Sequence, residues 1–333
     1  VKNIDKDPMQ LAIAVLNHND GVPFVKEAIK LGLMGGLISP ATGLIGSPLL
    51  NLLSIRHDRR DFVMMFERKS IMEPAIQSIV KQFKMDKPNH GVVFVLDTKF
   101  NLRRDCLIGA NDWNNVHADH QLVFITFKHG RSKEVIEKLT QVSTAGATIF
   151  TGKGEHVAER QQMLGLSFSP QKDVVMSVVE SQQVPDVFNA IEEAFYCSNT
   201  KGMSVFSLEL NSFSQEKEVV EPLNMPKKSL LISVVSEELE EEYLKIMKKH
   251  RMNGGTSIKG HGSISPEMME RIFNITVNPQ KRILFTVDDT NKVQEAYEDI
   301  LQTKAMNEKH RGIFLTIPVQ QAYGMYDKTQ QHD

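Results

Sequence analysis

The feature that most constrains this chain of 333 residues is an internal repeat with a period near 108. AGATIFTGKG (145–154) aligns without a gap to NGGTSIKGHG (253–262), so Gly146, Thr148, Gly152 and Gly154 meet Gly254, Thr256, Gly260 and Gly262. Further on, SPQKDVVMSVV (169–179) aligns to NPQKRILFTVD (278–288), pairing Pro170 with Pro279 and Lys172 with Lys281. Two gapless blocks in one order make chance agreement a poor explanation, and a repeat of this length implies one folding unit used several times.

A third copy shows in the pattern of elements. Each copy opens on a β-branched apolar run: LAIAVL (11–16), QLVFITF (121–127) and SLLISVV (229–235). An amphipathic stretch follows, marked by Val25, Ile29 and Leu33, by Val135, Leu139 and Val142, and by Leu239, Tyr243 and Met247. Spacings of three to four residues turn one helical face toward a sheet. A third strand is predicted at DFVMMFE (61–67), DVVMSVV (173–179) and RILFTVD (282–288). A second helix comes next, and each copy closes on a strand led by a glycine: Gly91, Gly202 and Gly312.

Strand, helix, strand, strand, helix, strand is the ferredoxin-like order. The predicted class is therefore α+β, with units at 9–104, 121–211 and 229–326, linkers at 105–120 and 212–228, and a tail at 327–333. The first unit is the most diverged. Helices on one face of such a sheet leave the other needing a cover, and the continuous apolar strands predict burial on both faces. Three sheets packed on one another within one chain, an intramolecular trimer, would supply that cover.

Composition limits function. A net charge of −2 gives no electrostatic case for nucleic acid, and two cysteines cannot build a disulfide framework, which suits a reducing cytoplasm. The stretch Leu31 to Ile55 carries no charge and is long enough to span a bilayer, for which about 20 residues suffice. Its five glycines and two prolines punctuate it instead as helix end, strand and loop. No nucleophile elbow, zinc-protease signature or Walker A run occurs, so no enzyme is expected. His117, Asp119 and His120 have metal-ligand chemistry but read as incidental polarity in a linker.

The candidate binding residues follow the repeat. Gly152-Lys153-Gly154, and Gly260 and Gly262, could form an anion-binding nest, or simply a tight turn at a strand end. Lys172 and Lys281 lead into the third strands, with Arg60 in that place in the first copy. A basic residue three times over suits a phosphate or carboxylate, or a solvated strand end.

Taken together, the Gly-Thr strand start, the Gly-x-Gly, the long loop, the Pro-Lys entry into strand three and the Gly-led last strand resemble the PII nitrogen-regulatory signal-transduction proteins. The resemblance covers most of the chain through short motifs. It implies a cytoplasmic regulator rather than an enzyme, built as a monomeric pseudo-trimer. Family members are homotrimers that bind ATP or ADP in clefts between subunits, often with 2-oxoglutarate, and dock a protruding loop on transporters, enzymes or regulators. That implies an adenine nucleotide as small-molecule effector and a protein partner such as a membrane transporter.

The docking loops would fall near 44–58, 155–169 and 263–278; the apolar stretch within 44–55 of the first is a candidate contact patch. The family's glycine-rich turn with its phosphate-binding lysine is missing before the last strand. Lys201-Gly202 and Arg311-Gly312 could substitute, while the first copy keeps only Gly91. Arg103 and Arg104 fall near the family's C-terminal phosphate-binding arginines, and no such pair follows the other copies. Unequal clefts are expected. The alternative is a ligand-free interaction scaffold that has kept the trimeric shape and lost the pocket.

Overall fold

The computed structural model describes residues 7–43, 58–87, 90–99, 101–103, 118–143, 146–156, 162–163, 166–167, 171–196, 203–213, 227–252, 255–262, 280–303 and 312–325. Of the candidates, Arg104, Lys201, Gly202 and Arg311 lie outside these residues, as do the apolar stretch 44–55 and most of the other two expected loops.

The protein is α+β, with six α-helices among the described residues and one fifteen-stranded sheet. The first run comprises β1 (Met9–Asn17), α1 (Gly21–Lys30), β2 (Gly35–Gly43), β3 (Asp58–Arg68), α2 (Lys69–Gln82) and β4 (Val92–Asp97). A short β5 (Asn101–Arg103) follows. The second run has β6 (His120–Lys128), α3 (Ser132–Val142) and β7 (Ala147–His156), then a small β8–β9 ladder (Gln162–Met163 with Leu166–Ser167). It continues with β10 (Gln171–Glu180), α4 (Val184–Tyr196), β11 (Ser204–Glu209) and a short β12 (Ser212–Phe213). The third has β13 (Lys228–Ser236), α5 (Glu240–Lys249), β14 (Thr256–Gly262), β15 (Gln280–Asp289), α6 (Thr290–Gln302), β16 (Gly312–Val319) and a short β17 (Gln321–Tyr323).

Each run forms the same antiparallel four-strand order: β4-β1-β3-β2, β11-β6-β10-β7 and β16-β13-β15-β14. The runs are stitched together head to tail. The start of β2 pairs with the end of β7, from Gly35 with His156 to Ile38 with Lys153. Likewise the start of β7 pairs with the end of β14 (Thr148 with Gly262), and the start of β14 with the end of β2 (Thr256 with Gly43).

The short strands are exchanged in the same direction. β5 extends β11 of the second run, β12 extends β16 of the third, and β17 extends β4 of the first. Matching backbone hydrogen bonds seal each exchange: Lys99 N–H to Ser207 O, Asn211 N–H to Thr316 O and Gln320 N–H to Val95 O, at 2.8–2.9 Å. The boundary expected after residue 104 kept β5 with the first unit; its ladder is with the second.

Alternation along the strands explains the long apolar runs. On β1, Ala12, Ala14 and Leu16 meet the helices, while Leu11, Ile13 and Val15 face a core that all three runs share. That shared core holds Phe62, Phe94, Phe124, Phe150, Phe206 and Phe285 among its side chains. Rings meet across runs: Phe62 lies 4.7 Å from Phe285 and Phe66 stacks on Phe206 at 4.7 Å. Each run also has its own helix–sheet core on the opposite face. Both faces are therefore covered, which removes the period-two polarity a one-sided sheet would show.

The third run's helix–sheet core buries Tyr243 completely, with its hydroxyl 3.0 Å from Thr286 Oγ1. Burial pushes the phenol from 10.0 up to about 12. Between those values the unfolded chain releases this proton and the folded chain retains it, so stability falls as pH rises. Tyr243→Phe is expected to flatten the part of the alkaline stability loss that Tyr243 causes, read from urea midpoints measured across that window.

No helix among the described residues is long and apolar enough to cross a membrane.

Candidate functional site

Strand register places the three basic candidates at one equivalent position. Lys172 pairs with Gly152, Lys281 with Gly260, and Arg60 with Ala41. Their side chains then take three different courses.

Lys172 runs across Gly154: a Cβ on that glycine would lie 2.7 Å from Lys172 Cε. From there Lys172 lines a cleft of about 80 Å3 between the first and second runs. Leu11, Gly35, Gly36, Leu37, Met64 and Phe66 form one wall; Thr126, Lys172, Ser204 and Phe206 form the other. Gly35 has a left-handed φ of 144°, and a Cβ on Gly36 would sit 2.9 Å from Met65 Cγ, so both positions require glycine. Ser204 pairs in register with Arg103, which brings the backbone of residue 103 alongside that wall. The cleft is thus lined by a lysine, two hydroxyl side chains and an apolar floor.

Lys281 is turned away, its Nζ lying 3.3 Å from Ser236 Oγ. Burial lowers its pKa, partly offset by the charge of Glu238. The Arg60 guanidinium donates to Asn17 Oδ1 on the neighbouring strand.

In the sequence the glycines are open to two readings, an anion-binding nest or a tight strand-end turn. Gly152, Gly154, Gly260 and Gly262 lie in strands, and none has the left-handed φ that a nest or tight turn of the expected kind uses. A Cβ on Gly152 would lie 2.7 Å from Leu37 Cδ2 and 2.8 Å from Ile38 O. On Gly260 it would lie 3.0 Å from Ile149 O. Gly152 and Gly260 thus each admit a backbone carbonyl of the preceding run. Among the described residues, nothing lies within 4 Å of a Cβ on Gly262. Gly91 has a φ of 101° and lies against Val15 O, and Gly312 opens β16 opposite Val235. Lys153, paired across runs with Ile38, is exposed.

Sequence reasoning missed a second polar feature on the helix side of the sheets. Asp61 accepts from Gly21 N–H at 3.0 Å and lies 3.2 Å from His18 Nδ1. In the second run Asp173 accepts from Gly130 N–H at 3.1 Å and Thr151 Oγ1 at 2.9 Å, with His129 Nδ1 at 2.7 Å. Both aspartates are buried. At the same register position the third run has Arg282, which pairs with Glu237 and Glu240. The polarity is inverted there, and two glutamates at the entry to α5 serve as charge partners of Arg282.

The aligned Asp-Asp-Arg at the head of strand three was visible in the repeat. Its partners lie 22 to 45 residues upstream, too far for motif spacing. Asp173→Ala would leave the Gly130 N–H and the Thr151 hydroxyl without their acceptor. It is expected to cost about 2–3 kcal/mol, read as a lowered urea midpoint with unchanged slope.

Comparison with known proteins adds little. No family model matches the chain, and no curated protein does. Solved structures give distant matches. Aspartate kinase from Synechocystis matches at 9% identity and a TM-score of 0.25, over 94% of this chain; this chain spans 44% of that kinase. A putative monooxygenase from Fusobacterium nucleatum subsp. nucleatum matches at 13% identity and a TM-score of 0.21, over 62% of this chain and 95% of its own. A mutant chlorite dismutase from Candidatus Nitrospira defluvii matches at 11% and 0.17, over 61% and 92%. Matches this distant carry no argument about what the chain does.

Proposed function

We propose that this chain is a PII-like regulator folded as a single-chain pseudo-trimer, which senses a small anionic ligand between its runs and acts through a protein partner. The observation that carries the ligand reading is Lys172 laid across Gly154 into the cleft bounded by Gly35, Gly36, Thr126 and Ser204. An ammonium beside hydroxyl groups suits a phosphate or carboxylate. The apolar floor of Phe66, Phe206, Leu11 and Met64 suits a flat ring, and an adenine nucleotide combines both chemistries. The cyclic strand pairing supports the pseudo-trimer. In this reading the protein is a sensor rather than a catalyst, and a membrane transporter is one partner of the kind such regulators control.

Isothermal titration of the full chain against ATP, ADP, AMP, cyclic dinucleotides and 2-oxoglutarate tests the proposal. Binding heat is expected from a nucleotide, and silence from every probe would sink the sensing claim. Lys172→Ala should weaken that binding about tenfold or more, the loss expected for a charge-assisted hydrogen bond, with the thermal midpoint little changed because Lys172 is only half-buried.

One observation favours the scaffold alternative. The described walls enclose about 80 Å3, below the roughly 300–1,000 Å3 usual for ligand pockets. A pull-down that recovers the same partner with and without nucleotide would select the scaffold.

A further inference from the structure

We propose that the chain binds one anion per molecule, in the cleft between the first and second runs, and that the two register-equivalent positions are closed by apolar side chains. This rests on reading the Lys172 cleft as a ligand site. The argument compares the three positions strand by strand.

In the second run, Thr126 of β6 pairs with Ser204 of β11, and both line the cleft. The same place in the third run is Val234 paired with Ile313, and in the first run Val15 paired with Val92. The equivalences are fixed by the third strand of each run, where Val174, Ile283 and Phe62 stand opposite these residues two positions after the basic one. A hydroxyl pair therefore occurs once in three, and branched hydrocarbon replaces it twice. Polar atoms of a ligand buried against valine and isoleucine would lose water without gaining a partner.

The basic residues also differ in what they lie against. Lys172 is held over Gly154, at the rim of its cleft. At the equivalent glycine of the third run, Gly262, nothing among the described residues lies within 4 Å of where a Cβ would be, and Lys281 Nζ lies 3.3 Å from Ser236 Oγ instead. In the first run Arg60 is engaged by Asn17, a residue of the same run. Val15 and Val234 are buried in the shared core, so these two positions contribute to holding the runs together.

Equilibrium dialysis of the unaltered full chain against saturating radiolabelled ATP, and separately ADP, reads the number of sites. One equivalent is expected, with the dissociation constant raised about tenfold or more in Lys172→Ala and unchanged in Lys281→Ala. Two or three equivalents, or loss of the site in Lys281→Ala with retention in Lys172→Ala, would overturn the single-cleft assignment and leave the sensor reading standing. No retained nucleotide at all would overturn both. The stoichiometry is read on the natural sequence, so it does not depend on how any variant folds.

Discussion

Phe62→Ala is expected to destabilise the chain by about 3–5 kcal/mol, the usual cost of removing a fully buried aromatic ring. Phe62 is 0% exposed and belongs to the first run, but its ring lies 4.7 Å from Phe285 of the third. The informative measurement is a double-mutant cycle. If the runs share one core, Phe62→Ala and Phe285→Ala should couple by about 0.5–1.5 kcal/mol in urea unfolding. Coupling indistinguishable from zero would mean that three independent units sit side by side. Because the shared core draws on all three runs, unfolding should also be a single cooperative transition rather than three.

The second large effect concerns Gly152. Any Cβ there collides with Leu37 and with the carbonyl oxygen of Ile38, and a backbone oxygen in a ladder cannot move aside cheaply. Gly152→Val should therefore cost about 3 kcal/mol by forcing β2 away from β7. Gly262→Val is the matched control: it is a strand glycine with no described residue near its missing Cβ, and it should change stability by less than about 0.5 kcal/mol. Equal loss in both would show that glycine matters there for chain flexibility and not for the approach of two strands. Because Gly152 is two residues from Gly154, the first variant should also disturb the lysine-lined cleft, and nucleotide binding should fall with it.

Much of this was legible in the chain. The block from Gly146 to Gly154 and its partner at 254–262 gave the period, and the register pairs Lys172 with Gly152 just as it pairs Lys281 with Gly260. Apolar strands without period-two polarity led to two covered faces, which the helix–sheet cores and the shared core supply. The short strands β5, β12 and β17 were not legible. Two or three residues carry no periodicity, and each takes its partner from a different run. The aspartates at 61 and 173 were passed over for a related reason: each takes a backbone N–H near the helix entry, which any residue type supplies, and side-chain partners far away in sequence.

The sequence by itself determined that one βαββαβ pattern is used three times, because hydrophobic periodicity and glycine spacing act over a few residues and repeat with the chain. It determined as well which positions are basic at the head of each third strand. Only the tertiary structure decided what those residues face. Gly152 is glycine because another run's carbonyl lies 2.8 Å from its missing Cβ. Lys172 enters a cleft, Lys281 turns to Ser236 and Arg60 to Asn17, although all three share one register position. Local patterns cannot encode that difference, since the surface each side chain meets is assembled from strands far apart in sequence.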